Sequence, residues 1–466
     1  MARSPSTMTQ PFHTTHFHEL QTSRKHDSRQ HLDRSLKNSR RGKAIPAMAA
    51  AVANPVASAF STPKAVAPPG QPDISYAPDY DKYQARAARR VQSENLPSTL
   101  PEGFPEQLKG DLVWEGDTLA ETYDWTYVLR EDQLAEIDEA VKHFKSLGLP
   151  ISHVAKDTFP LPKLHSELRR LSHELHFGHG FFVIRGLRVD EHTRDENVIT
   201  YAGLSSHIAP QRGRQDQFSP FDGSPADVVL THIKDLSNLP ELKGSIGSPA
   251  YTTDKQVFHT DSGDIVSLFA LETALEGGAS KLASTWRVYN ELAANRPDLI
   301  HTLSQPWDME VFEKNAKKKF AERPLLFHQP STETTPERVL LQYGRRYFVG
   351  FGQLPRNPEI PPISEAQAEA LDALHFLGEK FCVNTHFEKG DIQYVNNLAL
   401  FHARDGFVDG EEQRRHLLRL WLRDPEYAWK TPEVIEWRWK QLYEGITPEK
   451  ELLPLGPFVR NAGKGR

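Results

Sequence analysis

A single cysteine, Cys382, in 466 residues excludes a disulfide-stapled secreted scaffold and any cysteine-rich zinc module. Long apolar runs are missing as well. The least charged stretch, residues 44–60, is rich in alanine but broken by Pro46 and Pro55, which makes it a poor membrane span. Nor is there a basic excess. The 56 Lys and Arg stand against 62 Asp and Glu, a formal net charge of -6, so nothing advertises a nucleic-acid partner. Strands do not alternate regularly with helices, which argues against a doubly wound parallel sheet. What remains is a soluble chain without membrane or nucleic-acid partners, from a reducing compartment.

The charge is unevenly spread. Residues 1–45 carry nine Lys or Arg against Glu19, Asp27 and Asp33, a net +6 that leaves -12 for the rest. This leader has no apolar periodicity, and Pro46 to Pro105 has the Pro/Ala/Ser composition of an extended linker. Residues 1–103 are therefore expected to be a disordered tail. The competing reading is an organelle transit peptide for mitochondrial import, but acids interrupt that pattern, and the expected location is cytoplasmic. The folded domain is expected over residues 104–455, with 456–466 a flexible C-terminus.

Beyond residue 104 the pattern changes. Leu134, Ile137, Val141 and Phe144 recur at helical spacing, as do Leu164, Leu168, Leu171 and Leu175. Ser364 and Gln367 form a capping box before the stripe Ala370, Leu374, Leu377 and Phe381. Phe181–Ile184, Val228–Leu230, Ile265–Leu271, Val339–Tyr343, Asp391–Val395 and Leu417–Leu422 read as strands. The expected fold is mainly β, an antiparallel sandwich or barrel with flanking helices.

His259 and Asp261 precede the strand at Ile265. In extended chain, residues i and i+2 point the same way, so the pair offers an imidazole and a carboxylate to one point. That is two-thirds of the 2-His-1-carboxylate set that holds Fe(II) with three positions open. His402 is the best-placed third ligand. A histidine beside Phe401 on an apolar strand also reads as a core residue with a satisfied hydrogen bond, and spacing alone leaves both open. The strand that follows weighs on the choice. Arg415, Leu417, Arg419 and Trp421 share one face and His416, Leu418, Leu420 and Leu422 the other, so neither face is clearly wet. Buried arginines need anionic partners, and a guanidinium fork suits a carboxylate. For Arg419 the partner is either a substrate anion or a protein carboxylate, Asp424 or Asp405.

With Gly180–Gly186, Phe258–Asp261, Glu276–Ser280, Gly390 through Asn397 to His402, and Arg415-x-x-x-Arg419, the chain resembles the TauD/TfdA dioxygenase family from about Phe104 to Tyr443. The resemblance implies a double-stranded β-helix (jelly-roll) core and an Fe(II)/2-oxoglutarate-dependent dioxygenase using O2. His259, Asp261 and His402 would be the catalytic iron ligands. Ser280, where relatives have Thr, and Arg415 would bind the C5 carboxylate of 2-oxoglutarate. Arg419 would be substrate-binding, contacting a small sulfonate or carboxylate whose C–H bond is oxidised with release of succinate and CO2. Many members have Asp-Asn where this chain has Asn396-Asn397, and members often form homo-oligomers. The alternatives are a catalytically silent metal-binding jelly roll and an oxygenase acting on a protein substrate.

Overall fold

The structure, a computed structural model, describes residues 67–312, 318–352 and 354–463. In chain order its framing strands are β1 (Thr126–Val128), β2 (Phe181–Arg185), β3 (Gln211–Arg212), β4 (Leu230–Lys234), β5 (Gln256–His259) and β6 (Ile265–Glu272). They continue with β7 (Ser280–Ser284), β8 (Val383–Asn384), β9 (Ile392–Asn396), β10 (Leu400–Arg404) and β11 (His416–Arg423). The larger sheet runs β1-β2-β9-β6-β11-β3, with β4 also paired to β11, and the smaller runs β8-β7-β10-β5. All these pairings are antiparallel except β1 with β2.

Side-chain alternation explains how the sheets pack. Phe181, Val266, Val395 and Trp421 of the larger sheet share one core with Leu282 and Leu400 on the facing side of the smaller, whose other side sets Phe258 and Phe401 against Gly378. The opposite face of the larger sheet is equally dry. Phe182, Ile184, Phe269, Leu418 and Leu420 pack into a second core with the helices that cover them. Neither face of β11 is wet, as the sequence implied, and the architecture is the jelly roll with flanking helices.

The helices are α1 (Tyr80–Ser93), α2 (Glu131–Ser146), α3 (His165–Phe177), α4 (Arg194–Ile208), α5 (Glu365–Phe381) and α6 (Glu433–Tyr443) among others. The expected stripes of α2 and α3 are buried. The capping box of α5 is formed, Gln367 N–H donating to Ser364 Oγ at 3.1 Å and Ser364 N–H to Gln367 Oε1 at 2.9 Å. Helix α4 escaped the sequence reading because every residue from Asn197 to Ile208 is buried, so it has no polar face to make a stripe.

Two expected boundaries are corrected. Residues 80–93, assigned to the tail, form α1, which docks on α5 through buried ion pairs. Arg86 reaches Asp372 at 2.6 Å and Arg90 reaches Glu369 at 2.5 Å. A helix held this way carries a charged stripe, and composition alone reads it as linker. The leader through residue 66 lies outside the described residues. At the other end, Val459 is buried, and Asn461 donates to Asp216 from N and Nδ2 at 2.7 and 2.9 Å. Residues 456–463 are thus docked where a flexible end was expected. Among the described residues, no helix is long and apolar enough to cross a membrane.

Candidate metal centre and adjoining anion pocket

Strands β5 and β10 are neighbours, with His259 directly opposite His402. Directly opposed residues project to the same face, so two histidines far apart in sequence meet with ring centroids 4.3 Å apart. Asp261 follows just past the end of β5, its Oδ1 3.8 Å from His259 Nε2. One donor atom from each of the three lies within 4.8 Å of the others, and no other such His/Cys/Asp/Glu cluster occurs among the described residues.

The turn bearing Asp261 is held by Asn397. Its Oδ1 accepts from Asp261 N–H at 2.8 Å, and its Nδ2 donates to the carbonyls of Asp261 and Gly263 at 2.7 and 2.8 Å. Gly263 has φ +95°, and a Cβ there would lie 2.6 Å from Tyr443 Oη. Only glycine fits this turn without strain.

The protonation states suit metal ligands. His259 Nδ1–H donates to Val257 O at 2.9 Å, which leaves the Nε2 lone pair toward the cluster. The Gln256 amide nitrogen donates to that lone pair at 2.8 Å, a bond that a metal would replace. Burial lowers His259 and pushes His402 down to about 3, so both imidazoles are neutral at pH 7. His402 Nδ1 is buried with no hydrogen-bond partner. Burial opposes ionisation of Asp261, but Arg419, His402, His259 and Arg460 outweigh it and hold the carboxyl well below its usual range. Two neutral imidazoles and one carboxylate fit a divalent ion of intermediate hardness such as Fe(II).

Beside the cluster, Ser280 and Arg415 line one cavity of ≈ 130 Å³ with Gly277, Gly278, Ala279 and Leu417. Arg415 is 6% exposed, its backbone N–H donates to Asp409 Oδ1 at 2.8 Å, and its guanidinium makes no salt bridge among the described residues and rests 5.5 Å from the Phe407 ring centroid. Burial, and then Arg404 nearby, lower its pKa to about 9, so it remains a cation at pH 7. Ser280 Oγ donates to Gln393 Oε1 at 3.2 Å.

Arg419 turns toward the cluster itself. Its Nη1 pairs with Asp261 Oδ2 at 2.7 Å and its Nε donates to Gln215 Oε1 at 3.0 Å, while Nη2 is buried without a partner. Neither carboxylate considered from sequence is its partner, since Asp424 pairs with Arg169 and Asp405 with Lys281. Trp421 Nε1–H also donates to Asp261 Oδ2, at 3.1 Å. Sequence reasoning missed Gln215, a loop residue outside any motif, and Arg460, which stands in the segment taken as a loose end.

A family model described as "Taurine catabolism dioxygenase TauD, TfdA family" matches residues 143–421. The taurine hydroxylase-like protein SAT17 of Stachybotrys chartarum is 35% identical over 354 residues, 74% of this chain and 88% of that protein. FR-33289 synthase of Streptomyces rubellomurinus is 25% identical over 334 residues, 69% of this chain and 92% of that protein. Among solved structures, asparagine oxygenase in complex with Fe(II), hydroxyasparagine and succinate aligns over 66% of this chain and 98% of its own, with 14% identity and a TM-score of 0.47. The non-heme iron oxygenase OrfP with Fe and alpha-ketoglutaric acid aligns over 64% and 93%, with 15% identity and a TM-score of 0.46. The family match and the 35% identity to SAT17 decide the matter: this chain belongs to the TauD/TfdA family and is a dioxygenase that uses Fe(II), 2-oxoglutarate and O2 on a small molecule.

Proposed function

We propose that His259, Asp261 and His402 hold Fe(II), that Ser280 and Arg415 hold the C5 carboxylate of 2-oxoglutarate, and that the substrate is a small organic anion, a sulfonate or carboxylate, recognised in part by Arg419. The carrying observation is Arg415, a buried cation on a cavity wall whose guanidinium makes no salt bridge among the described residues, while Asp409 accepts from its backbone N–H instead. An uncompensated buried charge is costly, and a carboxylate ligand removes that cost through a two-toothed grip. Ser280 adds a hydroxyl on the same cavity wall.

Bound iron would supply oxidation of a substrate C–H bond coupled to conversion of 2-oxoglutarate to succinate and CO2. The protein's share is positioning. Asn397 fixes the turn that carries Asp261, Val257 fixes the His259 tautomer, and Arg419 and Trp421 orient the Asp261 carboxylate through Oδ2, leaving Oδ1 toward the histidines. Acids interrupt the transit-peptide pattern of the leader and the chain has no basic excess, which supports a cytoplasmic enzyme without nucleic-acid or membrane partners.

The test is anaerobic. Fe(II) followed by 2-oxoglutarate should produce a weak visible charge-transfer band. Asp261→Ala should abolish it, whereas Arg415→Met should weaken 2-oxoglutarate binding by about tenfold or more and leave iron binding intact. An unchanged band in Asp261→Ala, or equal loss of iron and 2-oxoglutarate in Arg415→Met, would refute the assignment.

A further inference from the structure

Behind the wall of the Arg415 cavity, Ser280 belongs to a set of three polar side chains that meet at one atom. Its hydroxyl donates to Gln393 Oε1 at 3.2 Å, and the Thr385 hydroxyl donates to the same oxygen at 2.8 Å. Each residue comes from a different part of the fold. Ser280 opens β7 on the smaller sheet, and Thr385 directly follows β8 beside it. Gln393 lies within β9 of the larger sheet, opposite Val183 of β2 and Leu268 of β6. The backbone ties the two hydroxyl residues together, because Thr385 N–H donates to Ser280 O at 3.2 Å and Asn384 stands opposite Lys281. All three side chains are buried, and of the three only Ser280 lines the cavity.

We infer that Gln393 and Thr385 are positioning residues for the cosubstrate: the Gln393 amide oxygen is the resting acceptor of the Ser280 hydroxyl proton, and Thr385 keeps that oxygen bonded when Ser280 turns to the carboxylate of 2-oxoglutarate.

Proton counting carries this. A serine or threonine hydroxyl has one proton and two lone pairs, an amide oxygen accepts two hydrogen bonds, and a carboxylate only accepts. With both hydroxyl protons on Gln393 Oε1, Ser280 shows the cavity its lone pairs, which repel a carboxylate. To hold one, the hydroxyl must rotate about its Cβ–Oγ bond, keeping its proton on Oγ and withdrawing it from Gln393. An amide oxygen with no other donor would then be buried and unsatisfied, at a cost that cancels the bond just gained. Thr385 removes that cost, since its own bond to the oxygen persists. The shorter bond is therefore the permanent one, and the longer is the one that is exchanged. Arg415 supplies the charge for the same carboxylate, and the Gln393–Thr385 pair frees the neutral donor beside it.

The inference rests on the reading of Ser280 and Arg415 as the cosubstrate site, and one set of titrations separates the two. Full-length protein is loaded anaerobically with Fe(II), and its affinity for 2-oxoglutarate is read from the visible band. Ser280→Ala should weaken that affinity by about threefold or more, and Thr385→Val by a similar factor, each with unchanged affinity for Fe(II). Thr385→Ser, which keeps the hydroxyl, should recover most of the loss. In a Ser280→Ala background, Thr385→Val should add nothing, because there is no proton to exchange. It should also add nothing in a Gln393→Leu background, where no amide oxygen needs a donor. Thr385→Ala takes the place of the valine variant where that does not fold. Wild-type affinity in Thr385→Val, equal weakening in Thr385→Ser, or additive losses in either double variant overturn the proposal. Ser280→Ala binding 2-oxoglutarate as tightly as wild type overturns the cosubstrate reading of Ser280 first.

Discussion

At the scale of single residues, the site depends on one amide as much as on the three proposed ligands. Asn397 makes three hydrogen bonds to the turn that carries Asp261, and each unmade bond there would strand a backbone group. Its neighbour Asn396 serves the fold instead, donating to Leu175 O at 3.2 Å and accepting from Leu398 N–H at 3.1 Å. Asn397→Ala should weaken Fe(II) binding about 10–100-fold, the usual effect of losing a group that orients a ligand, read from an anaerobic titration. Asn396→Ala should lower stability and leave iron affinity near wild type. Equal iron affinity in the two variants would mean that Asp261 keeps its place without the clamp.

At the scale of elements, β4 and β11 share a histidine pair unrelated to the metal site, His232 buried and His416 half-buried. His232 Nδ1 and His416 Nε2 are 2.7 Å apart, and His232 Nε2 donates to Pro454 O at 2.8 Å. Burial lowers His232 to about 4 and His416 to about 3, with Arg194 and Lys234 adding to the effect on both. Folded values below the ordinary 6.5 mean that the pair's stability contribution is complete above that pH and is lost as pH falls toward 4 and then 3. Each group should cost up to about 1.4 kcal/mol per pH unit in that window. Denaturant unfolding of metal-free protein should weaken from pH 6.5 to 4, and the double variant His232→Gln, His416→Gln should flatten the slope. Part of the slope should persist, because burial lowers His176 and His375 similarly. Strands such as β11 were legible because alternation of period two survives even when both faces are dry. The clustering of His259 with Asp261 was legible for the same reason, since they sit two apart, whereas spacing alone left His402 open and only the strand register brings it to them. Helix α4 was not, because complete burial erases the polar stripe that periodicity needs. Nor was the pairing of Arg419 with Asp261, which only the register of the folded sheets creates.

At the scale of the whole molecule, charge marked off a basic leader from an acidic body, and composition misled at the boundary. Residues 1–45 are +6, yet the change from tail to body does not fall at residue 103, because α1 belongs to the body. Its Arg86 and Arg90 sit against Asp372 and Glu369 of α5, carboxylates only 2% and 0% exposed. Arg345 and Arg296 pair with the same two acids from the other side, so each carboxylate is shared between two guanidiniums. Removing α1 takes away half of that compensation and opens the face of α5 to water. Arg90→Met should therefore cost about 3 kcal/mol, at the lower end for a broken buried pair because Arg296 still faces Glu369. A chain beginning at residue 104, the boundary that composition suggests, should lose at least as much or fail to fold, whereas one beginning at residue 67 retains both arginines. Thermal melts of the two truncated chains decide it. Equal melting temperatures would make α1 an appendage and restore the boundary at 103.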